Sequence, residues 1–558
     1  MKIIECVPNF SEGRDVALIR EITESMEGVP NVSLLDVDSG SDTNRTVVTI
    51  VGDPESIIHS AFLGIQRASE LIDMQKHRGT HARMGATDVC PLVPISNVTM
   101  EECIMYSKQL AEKVGNEIKI PVFLYEFSAT KQYRQNLAEI RSGEYEGMAE
   151  KIKSPQWKPD YGPIIPHKRA GVTAIGARNF LIAYNINLNT KDKKISTDIA
   201  LDIREQGRNK RNAQGKFARD ENGNTIKVPG TLKACKAVGW FIEEYGVSQV
   251  SMNLTNFNET PPHIAFEETR KQARIRGVRV SGSELVGLIP LESMIAAGKY
   301  YLNKQKRSIG IPDKDIIHIA VKSMGLDDLS PFNPKEKIIE YRITDVFGSL
   351  ASMKIHEFSD ELSSDSPAPG GGSVSALAGV LAASLSSMVA NLTFGKKKWL
   401  PLYKNMCILS EESQKLKNKL LKLIDQDTDS FNLVMEAYKL PKLSSKEIKK
   451  RDNNIEEAMK EAANIPYQTL SCCSQIMDLA IATAISGNPN SISDAGVAGE
   501  MAHAGAHGAS LNILINLKEI HDNNFSKEMI DKTTILLDKT NDSLLKLRGI
   551  VQEKINNV

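Results

Sequence analysis

The sequence predicts an α+β N-terminal half of two βαββαβ-like subdomains, followed by an all-α helical-bundle domain. Three observations lead there. Short β-rich runs alternate with amphipathic helical stretches up to about residue 325, and a similar order starts again near residue 178. Beyond about residue 350, strand signals give way to long runs of helical apolar spacing. A chain of 558 residues is too long for one core. The expected boundaries are 1–177 and 178–325 for the two subdomains, 326–349 for a linker and 350–558 for the helical domain.

In the first pass, IIECVPN (3–9), VSLLDVDS (32–39) and RTVVTIVG (45–52) read as strands, as does PVFLYEF (121–127). PESIIHSAFLGIQRASELID (54–73) has helical spacing, and the order suggests a split βαβ sandwich. The second pass runs from RNFLIAYNINL (178–188) through a helix near 196–208 and strands near 232–243 and 246–254. A helix at 263–276 and a strand at 277–281 complete it. GKFARDENGNTIKVPG (215–230) has turn residues at its centre and basic residues around them, as an exposed inserted hairpin would. Pro331, Pro334 and Gly348 mark the linker. Runs 410–439 and 525–555 are long helices. Val374 to Leu392 carries no charge and has the length of a membrane span, but it consists mostly of Ala, Ser and Gly. It reads as a tightly packed helix of a soluble bundle.

Lys+Arg and Asp+Glu both number 69, so no global field draws the chain to nucleic acid or to a membrane. The start, MKIIECVPNFSEGRD, lacks the layout of a signal peptide, and seven scattered cysteines without a CxxC pair suit reduced thiols. A cytoplasmic protein is expected.

The densest polar cluster of the first half is HRGTHARMGATDVCPLVPI (77–95), where two histidines, two arginines and an aspartate lie within twelve residues. His81 is the natural general base, because imidazole titrates near neutral pH. Asp38, in DVDSGSDTNRT (36–46), is placed to orient or charge-stabilise it, and Arg45 or Arg83 to hold a carboxylate. A solvated loop with capping Asp and Asn is the bland alternative. His77 and His81 have the i, i+4 zinc spacing, as do His503 and His507, but neither pair has a third ligand nearby, so no metal is expected.

In the second half, SPAPGGGS (366–373) opens the uncharged helix, and a glycine-rich turn at a helix start suits an anion. The Lys-Ser/Thr pair of a nucleotide phosphate loop is missing. In IDQDTDSF (424–431), Asp425 and Asp429 share a helix face and Asp427 points elsewhere; facing a cleft, its carboxyl would be raised by desolvation.

ECVPNFSEGRD (5–15), LLDVDSGSDTNRTV (34–47), LIDMQKHRGTHARMGATDVCPLVP (71–94), GARNFLIAYNINL (176–188), IALDIREQGR (199–208), VGLIPLESM (286–294), FNPKEKIIEY (332–341), APGGGSV (368–374) and LNILINL (511–517) together resemble the bifunctional formimidoyltransferase-cyclodeaminase family of histidine degradation. The resemblance covers essentially the whole chain. It implies transfer of the formimino group of N-formiminoglutamate to tetrahydrofolate, releasing glutamate. Cyclisation of 5-formiminotetrahydrofolate to 5,10-methenyltetrahydrofolate then expels ammonia. Neither step needs a metal.

By matching position, the resemblance makes His81 the transferase acid/base, Asp38 its acidic partner and Asp427 the cyclodeaminase proton acceptor. It places folate binding at Gly162, Pro163, Ile164, Ile165, Pro166, His167, Lys168, Arg169, Ala170 and Gly171, a stretch more basic here than is usual in the family. A second folate contact falls on Val380, Leu381, Ala382, Ala383, Ser384, Leu385, Ser386, Ser387 and Met388. Gly370, Gly371, Gly372 and Ser373 are expected to line the second site opposite Asp427, with any anion there a folate carboxylate. Lys396, Lys397 and Lys398 are candidates for a polyglutamate tail. The family implies a homo-octamer or other homo-oligomer. The rival reading is a glutamate formyltransferase using N-formylglutamate and tetrahydrofolate, with the helical domain a degenerate binding or assembly module.

Overall fold

A computed structural model describes residues 2–557 except 42, 80, 213, 348, 349, 395 and 396, with the backbone alone for 344–347. The chain divides into two compact units, Met1–Ala297 with Met324–Val346, and Gly298–Ser323 with Phe347–Val558.

The first unit opens with β1 (Ile3–Cys6), β2 (Asn9–Phe10), α1 (Val16–Glu27), β3 (Val32–Gly40), β4 (Arg45–Gly52), α2 (Pro54–Leu71) and β5 (Thr87–Ser96). Local chemistry sets the helix starts: the Asp15 carboxylate accepts from the N–H groups of Ala17 and Leu18, and Asp53 caps α2 just before Pro54. β3 pairs with β4, β4 with β1 and β2, and these with β5, all antiparallel. Then come α3 (Met100–Lys113), β6 (Val122–Leu124), α4 (Leu137–Arg141), α5 (Glu144–Lys151) and β7 (Thr173–Ala177). β7 joins β5 in parallel and β6 joins β7, which completes a seven-stranded sheet.

The second pass is β8 (Ile182–Leu188), α6 (Lys193–Ile203), β9 (Arg208–Asn209), β10 (Lys227–Val228), β11 (Cys235–Ile242), β12 (Val247–Leu254), α7 (Pro262–Ile275) and β13 (Val280–Val286). Its sheet runs β11-β12-β8-β13. Leaving aside the β9–β10 arm, both passes are therefore βαββαβ with their strands in the order second-third-first-fourth, as a split βαβ motif requires. The arm is the exposed hairpin expected from the inserted turn residues.

α1, α2 and α3 pack on one face of the large sheet, where Ile4, Cys6, Val48, Ile50, Ile57, Ile65 and Leu110 form a core. Behind β6, Arg134 is sealed in a second core. Its guanidinium donates to Asp160 (2.8 Å) and to the carbonyls of Gln156 (2.9 Å) and Lys158 (2.6 Å), against the rings of Phe123, Tyr133 and Trp157.

α8 (Leu291–Lys304), α9 (Asp313–Met324), α10 (Pro334–Lys337) and α11 (Ile339–Phe347) follow. Residues 298–323, which the sequence reading kept with the second α/β subdomain, belong to the second unit. Polar contacts hold them there: Ser308 donates to Asn391 (2.8 Å), Asn391 to the Gly310 carbonyl (2.6 Å), and Lys299 pairs with Glu411 (3.2 Å). The rest of that unit is α12 (Ile355–Leu362), α13 (Gly371–Thr393), α14 (Tyr403–Lys439), α15 (Ser445–Ser486), α16 (Ile492–Leu517) and α17 (Asn523–Asn556). α13 passes the length and hydropathy test for a membrane span, but 67% of its most apolar window is buried among its neighbours. Ala376, Ala382, Ala383 and Ala390 are fully covered, so small side chains let α14, α15 and α16 approach closely.

Arg134→Met leaves the half-buried Asp160 without its cation, and the Gln156 and Lys158 carbonyls without their buried donor, and should cost about 2–4 kcal/mol. A lowered urea midpoint for the near-UV signal of Trp157 checks this.

Candidate active sites

Because side chains alternate along a strand, a sheet covered by helices on one face is free to be polar on the other. Glu5, Val7 and Asn9 alternate with Ile4, Cys6 and Phe10, and Arg45, Val47 and Thr49 alternate with Val48 and Ile50. On β3 the register slips by one residue between Leu34 and Asp36. Leu35 stays buried, while Asp36 and Asp38 both reach the open face. Opposite lies a row in register across the second sheet, Lys236, Asn253, Ala183 and Val286. Together they bound a cleft of about 490 Å³ that also takes in His81, Arg141, Arg178 and Phe180.

The cleft is organised by Asp88, whose side chain is 0% exposed. One carboxylate oxygen accepts from Arg45 Nη1 and Arg141 Nη2, both at 2.6 Å, and the other from the Met84 N–H at 3.0 Å. Burial works to raise this carboxyl, but the two arginines outweigh it and hold it below the ordinary range. Arg45 also donates to Asn9 Oδ1 (2.6 Å) and lies 3.3 Å from His81 Nδ1. The same ring nitrogen is 2.6 Å from the Ala82 carbonyl, and this shorter contact assigns the proton to Nδ1 and leaves Nε2 as the acceptor. Burial, then the charges of Arg45 and Arg141, push His81 down to about 4. The imidazole is therefore neutral and basic at Nε2.

Asp38 shares the cleft but makes no hydrogen bond to His81 among the described residues. The carboxylate that orders the surroundings of the imidazole is Asp88, the aspartate of the cluster to which the sequence reading gave no role. Asp38 is open to the solvent of the cleft and walled by protein on its other sides; burial, then the neighbouring Asp36, raise its carboxyl.

Arg83 is not available to a substrate. Its guanidinium is buried, bonded twice to Glu146 (2.8 and 2.9 Å) and once to Glu144 (2.8 Å). His77 is likewise committed, with Nε2 on the Asn44 carbonyl (2.9 Å) and Nδ1 accepting from Arg83 (3.2 Å). Among the described residues no three His, Cys, Asp or Glu side chains gather as a metal site would require. Gly162 to Gly171 lies outside the His81 cleft: the Lys168 carbonyl accepts from the Tyr145 hydroxyl, and Ile165 is 75% exposed. Arg141 and Arg178 escaped the sequence reading because each stands alone in the chain; folding brings Arg141 beside His81 and sets Arg178 in the same cleft near Glu5 and Tyr125.

In the second unit a cavity of about 390 Å³ is lined by Gly370, Gly371, Gly372, Asp427, Phe431, Tyr438, Asn512 and Glu519, among others. Asp427 sits on the N-terminal turn of α13, taking hydrogen bonds from the Ser373 hydroxyl (3.3 Å) and the Ser373 N–H. A Cβ at position 372 would overlap this carboxylate, so glycine is needed there for space. The glycine turn thus already holds one anion, the protein's own Asp427, and no Lys, Arg or His lines the cavity among the described residues. Burial raises the Asp427 carboxyl more than the Ser373 bonds lower it. Asp425 accepts from the Leu350 N–H (2.6 Å) and Asp429 is exposed, so of the three aspartates Asp427 alone faces the cavity.

None of Val380 to Met388 lines this cavity. Seven of the nine are buried or half-buried in the bundle, while Leu381 and Met388 face outward. Lys396 lies outside the described residues, and Lys397 and Lys398 are exposed away from the cavity. His503 Nε2 is 2.8 Å from Asn541 Oδ1, a structural contact.

Family profiles match three consecutive stretches: the formiminotransferase domain N-terminal subdomain over residues 3–178, the formiminotransferase domain over 183–344 and formiminotransferase-cyclodeaminase over 354–534. A formimidoyltransferase-cyclodeaminase of Dictyostelium discoideum is 42% identical over 99% of each chain. A glutamate formimidoyltransferase of Streptococcus pyogenes is 46% identical over 54% of this chain and 93% of its own. A methenyltetrahydrofolate cyclohydrolase of Methylorubrum extorquens is 38% identical over 36% of this chain and 97% of its own. The relative over 54% of the chain is named a transferase, the one over 36% an enzyme of methenyltetrahydrofolate, and the full-length relative is named for both parts; the chain belongs to the formiminotransferase-cyclodeaminase family.

Proposed function

We infer that the chain moves the formimino group of N-formiminoglutamate to the 5-position nitrogen of tetrahydrofolate in the cleft of the first unit. The second unit then closes the product to 5,10-methenyltetrahydrofolate with loss of ammonia. What carries the first step is a neutral His81 whose free Nε2 faces a cleft beside Arg45 and Arg141. The two arginines share one carboxylate, which leaves a net positive charge for a carboxylate of the glutamyl substrate. His81 takes the proton of the attacking folate nitrogen and returns it to the departing glutamate nitrogen. Asp36 and Asp38 suit the cationic amidine of a formimino donor better than the carbonyl oxygen of a formyl donor, which favours the main reading over a glutamate formyltransferase.

In the second unit, attack comes from within the same molecule, so orientation supplies much of the rate. Asp427, raised by burial, passes a proton from the attacking nitrogen to the leaving ammonia. With Asp427 and Glu519 in its lining and no cation described there, the cavity suits the positive charge of formimino and methenyl folates. That complete site argues against a degenerate assembly module.

Polyglutamated folate and a cytoplasmic setting remain part of this reading, the latter suited to seven free thiols. So does a homo-octamer or smaller homo-oligomer, supported by Val374, Leu381, Met388 and Leu392, an exposed apolar stripe along one side of α13.

His81→Ala should lower transfer at least about 100-fold and spare cyclisation of supplied 5-formiminotetrahydrofolate, with Asp427→Ala doing the reverse. Separate assays of glutamate release and of methenyl absorbance read the two steps, and either variant keeping its own reaction near the wild-type rate contradicts the assignment. Gly372→Ala should behave like Asp427→Ala, since it displaces that carboxylate. A base with its pKa near 4 works only when neutral, so transfer should lose rate as pH falls through about 4. Removing the Arg141 charge with Arg141→Met should move that acid limb to higher pH, and kcat/KM measured across pH 3–8 checks it.

A further inference from the structure

We propose that Glu5 anchors the pterin ring in the transferase cleft, its carboxylate accepting the paired N–H donors of the ring's 2-amino-4-oxo edge. The proposal rests on tetrahydrofolate being the acceptor in this cleft, and it assigns the end of the ring remote from the reaction. Glu5 is 2% exposed and lines the cleft, yet no described residue donates a hydrogen bond to its carboxyl. A buried carboxylate without donors is costly, and a ligand that brings two in one plane removes that cost. The 2-amino group and N3–H of a pterin form such a pair, spaced like one edge of a guanidinium.

The surroundings fit a flat ring. Val7, Pro91, Phe180 and Leu288 give apolar walls beside Glu5, and Gly162 to Gly171 contributes nothing to this cleft. The spacing fits as well. Glu5 on β1 and Asn9 on β2 lie four residues apart on one face of the sheet, in a single register against β4, about 13 Å at the usual rise of an extended chain. Asn9 binds Arg45, and Arg45 touches His81. That interval suits a fused bicyclic ring, a one-carbon group and a hydrogen bond at each end. With its amino edge on Glu5, the ring points its 5-position nitrogen toward the His81 end, where the formimino group must arrive.

Glu5 is flanked by Val51 of β4 and Val93 of β5, and the charged groups acting on it are Arg178 before β8 and Glu340 of α11. Burial lifts its carboxyl to about 7, with Arg178 opposing and Glu340 adding. Ring donors favour the ionised form, so the KM for tetrahydrofolate should fall as pH rises through about 7.

The test is Glu5→Gln in the full chain, with steady-state transfer measured across pH 6–8.5. The expected result is a KM for tetrahydrofolate raised about 10–100-fold and no longer pH-dependent, with the KM for N-formiminoglutamate and the cyclisation rate unchanged. A second arm needs no variant: a tetrahydrofolate analogue carrying methyl in place of the 2-amino group should compete at least about 10-fold more weakly than the parent for wild type, and equally for Glu5→Gln. A KM within threefold of wild type, or an analogue that competes as well as its parent, overturns the anchor. A wild-type protein that transfers nothing to tetrahydrofolate overturns the reading beneath it, which is a different result from an active wild type indifferent to Glu5.

Discussion

The first unit is arranged around one buried carboxylate. Asp88 has no exposed side-chain surface, and a charge so placed persists only when partners surround it. Its partners come from three parts of the chain: Arg45 from β4, the Met84 N–H from the histidine segment, and Arg141 from the end of α4. Each is held from behind in turn. Lys151 Nζ caps α4 by donating to the carbonyls of Glu139, Ile140 and Ser142 at 2.6–2.9 Å, which fixes the turn that carries Arg141. Asn44 ties the same region together, accepting from the Gly13 N–H and donating to the Arg78 carbonyl. The cost of burying Asp88 is thus met by a framework that leaves two arginines beside a half-buried imidazole, and burial together with their positive charge keeps His81 neutral.

The second unit holds its cavity carboxyl by a different route. There no arginine stands by Asp427 among the described residues; the Ser373 N–H at the start of α13 and the Ser373 hydroxyl take that place. Because these donors only partly offset burial, the carboxyl stays raised, which suits the proton transfer proposed for it. An arginine partner would have pinned it in the ionised form. The two carboxylates therefore serve different ends. Asp88 is held charged and never titrates in the working range, whereas Asp427 is left free to do so.

Most of the fold was legible in the sequence because it rests on periodicity. The β-rich composition of β3 and β4, the 3.6-residue spacing of α2 and the turn residues of the 215–230 insertion are local signals. Residues 298–323 lie inside the formiminotransferase profile, as the sequence reading grouped them, yet pack with the helical unit, because a helix's apolar face does not say which core it covers. The contacts that decide it, such as Ser308 to Asn391, are far apart in sequence. The site was legible where one segment held its groups together, as with His81, and in the glycine turn before α13. It was illegible where folding joined solitary residues, as with Arg141, Arg178 and Glu5. Arg83 misled because its type and neighbourhood suit a substrate, and only Glu144 and Glu146, some sixty residues away, show that it is already taken. The glycine turn was read as a cradle for a ligand anion, and what it cradles comes from the middle of α14.

The central claim is that two complete and separate sites, one in each unit, act in sequence on one folate. Mixing His81→Ala and Asp427→Ala proteins tests it most directly, with N-formiminoglutamate and tetrahydrofolate supplied and methenyl absorbance followed. The account predicts that neither protein alone forms 5,10-methenyltetrahydrofolate and that the mixture does, with one ammonia released for each methenyl group. A mixture as inactive as its two components, with each protein folded and substrate in excess, would mean that the two residues serve a single shared site, and would contradict it.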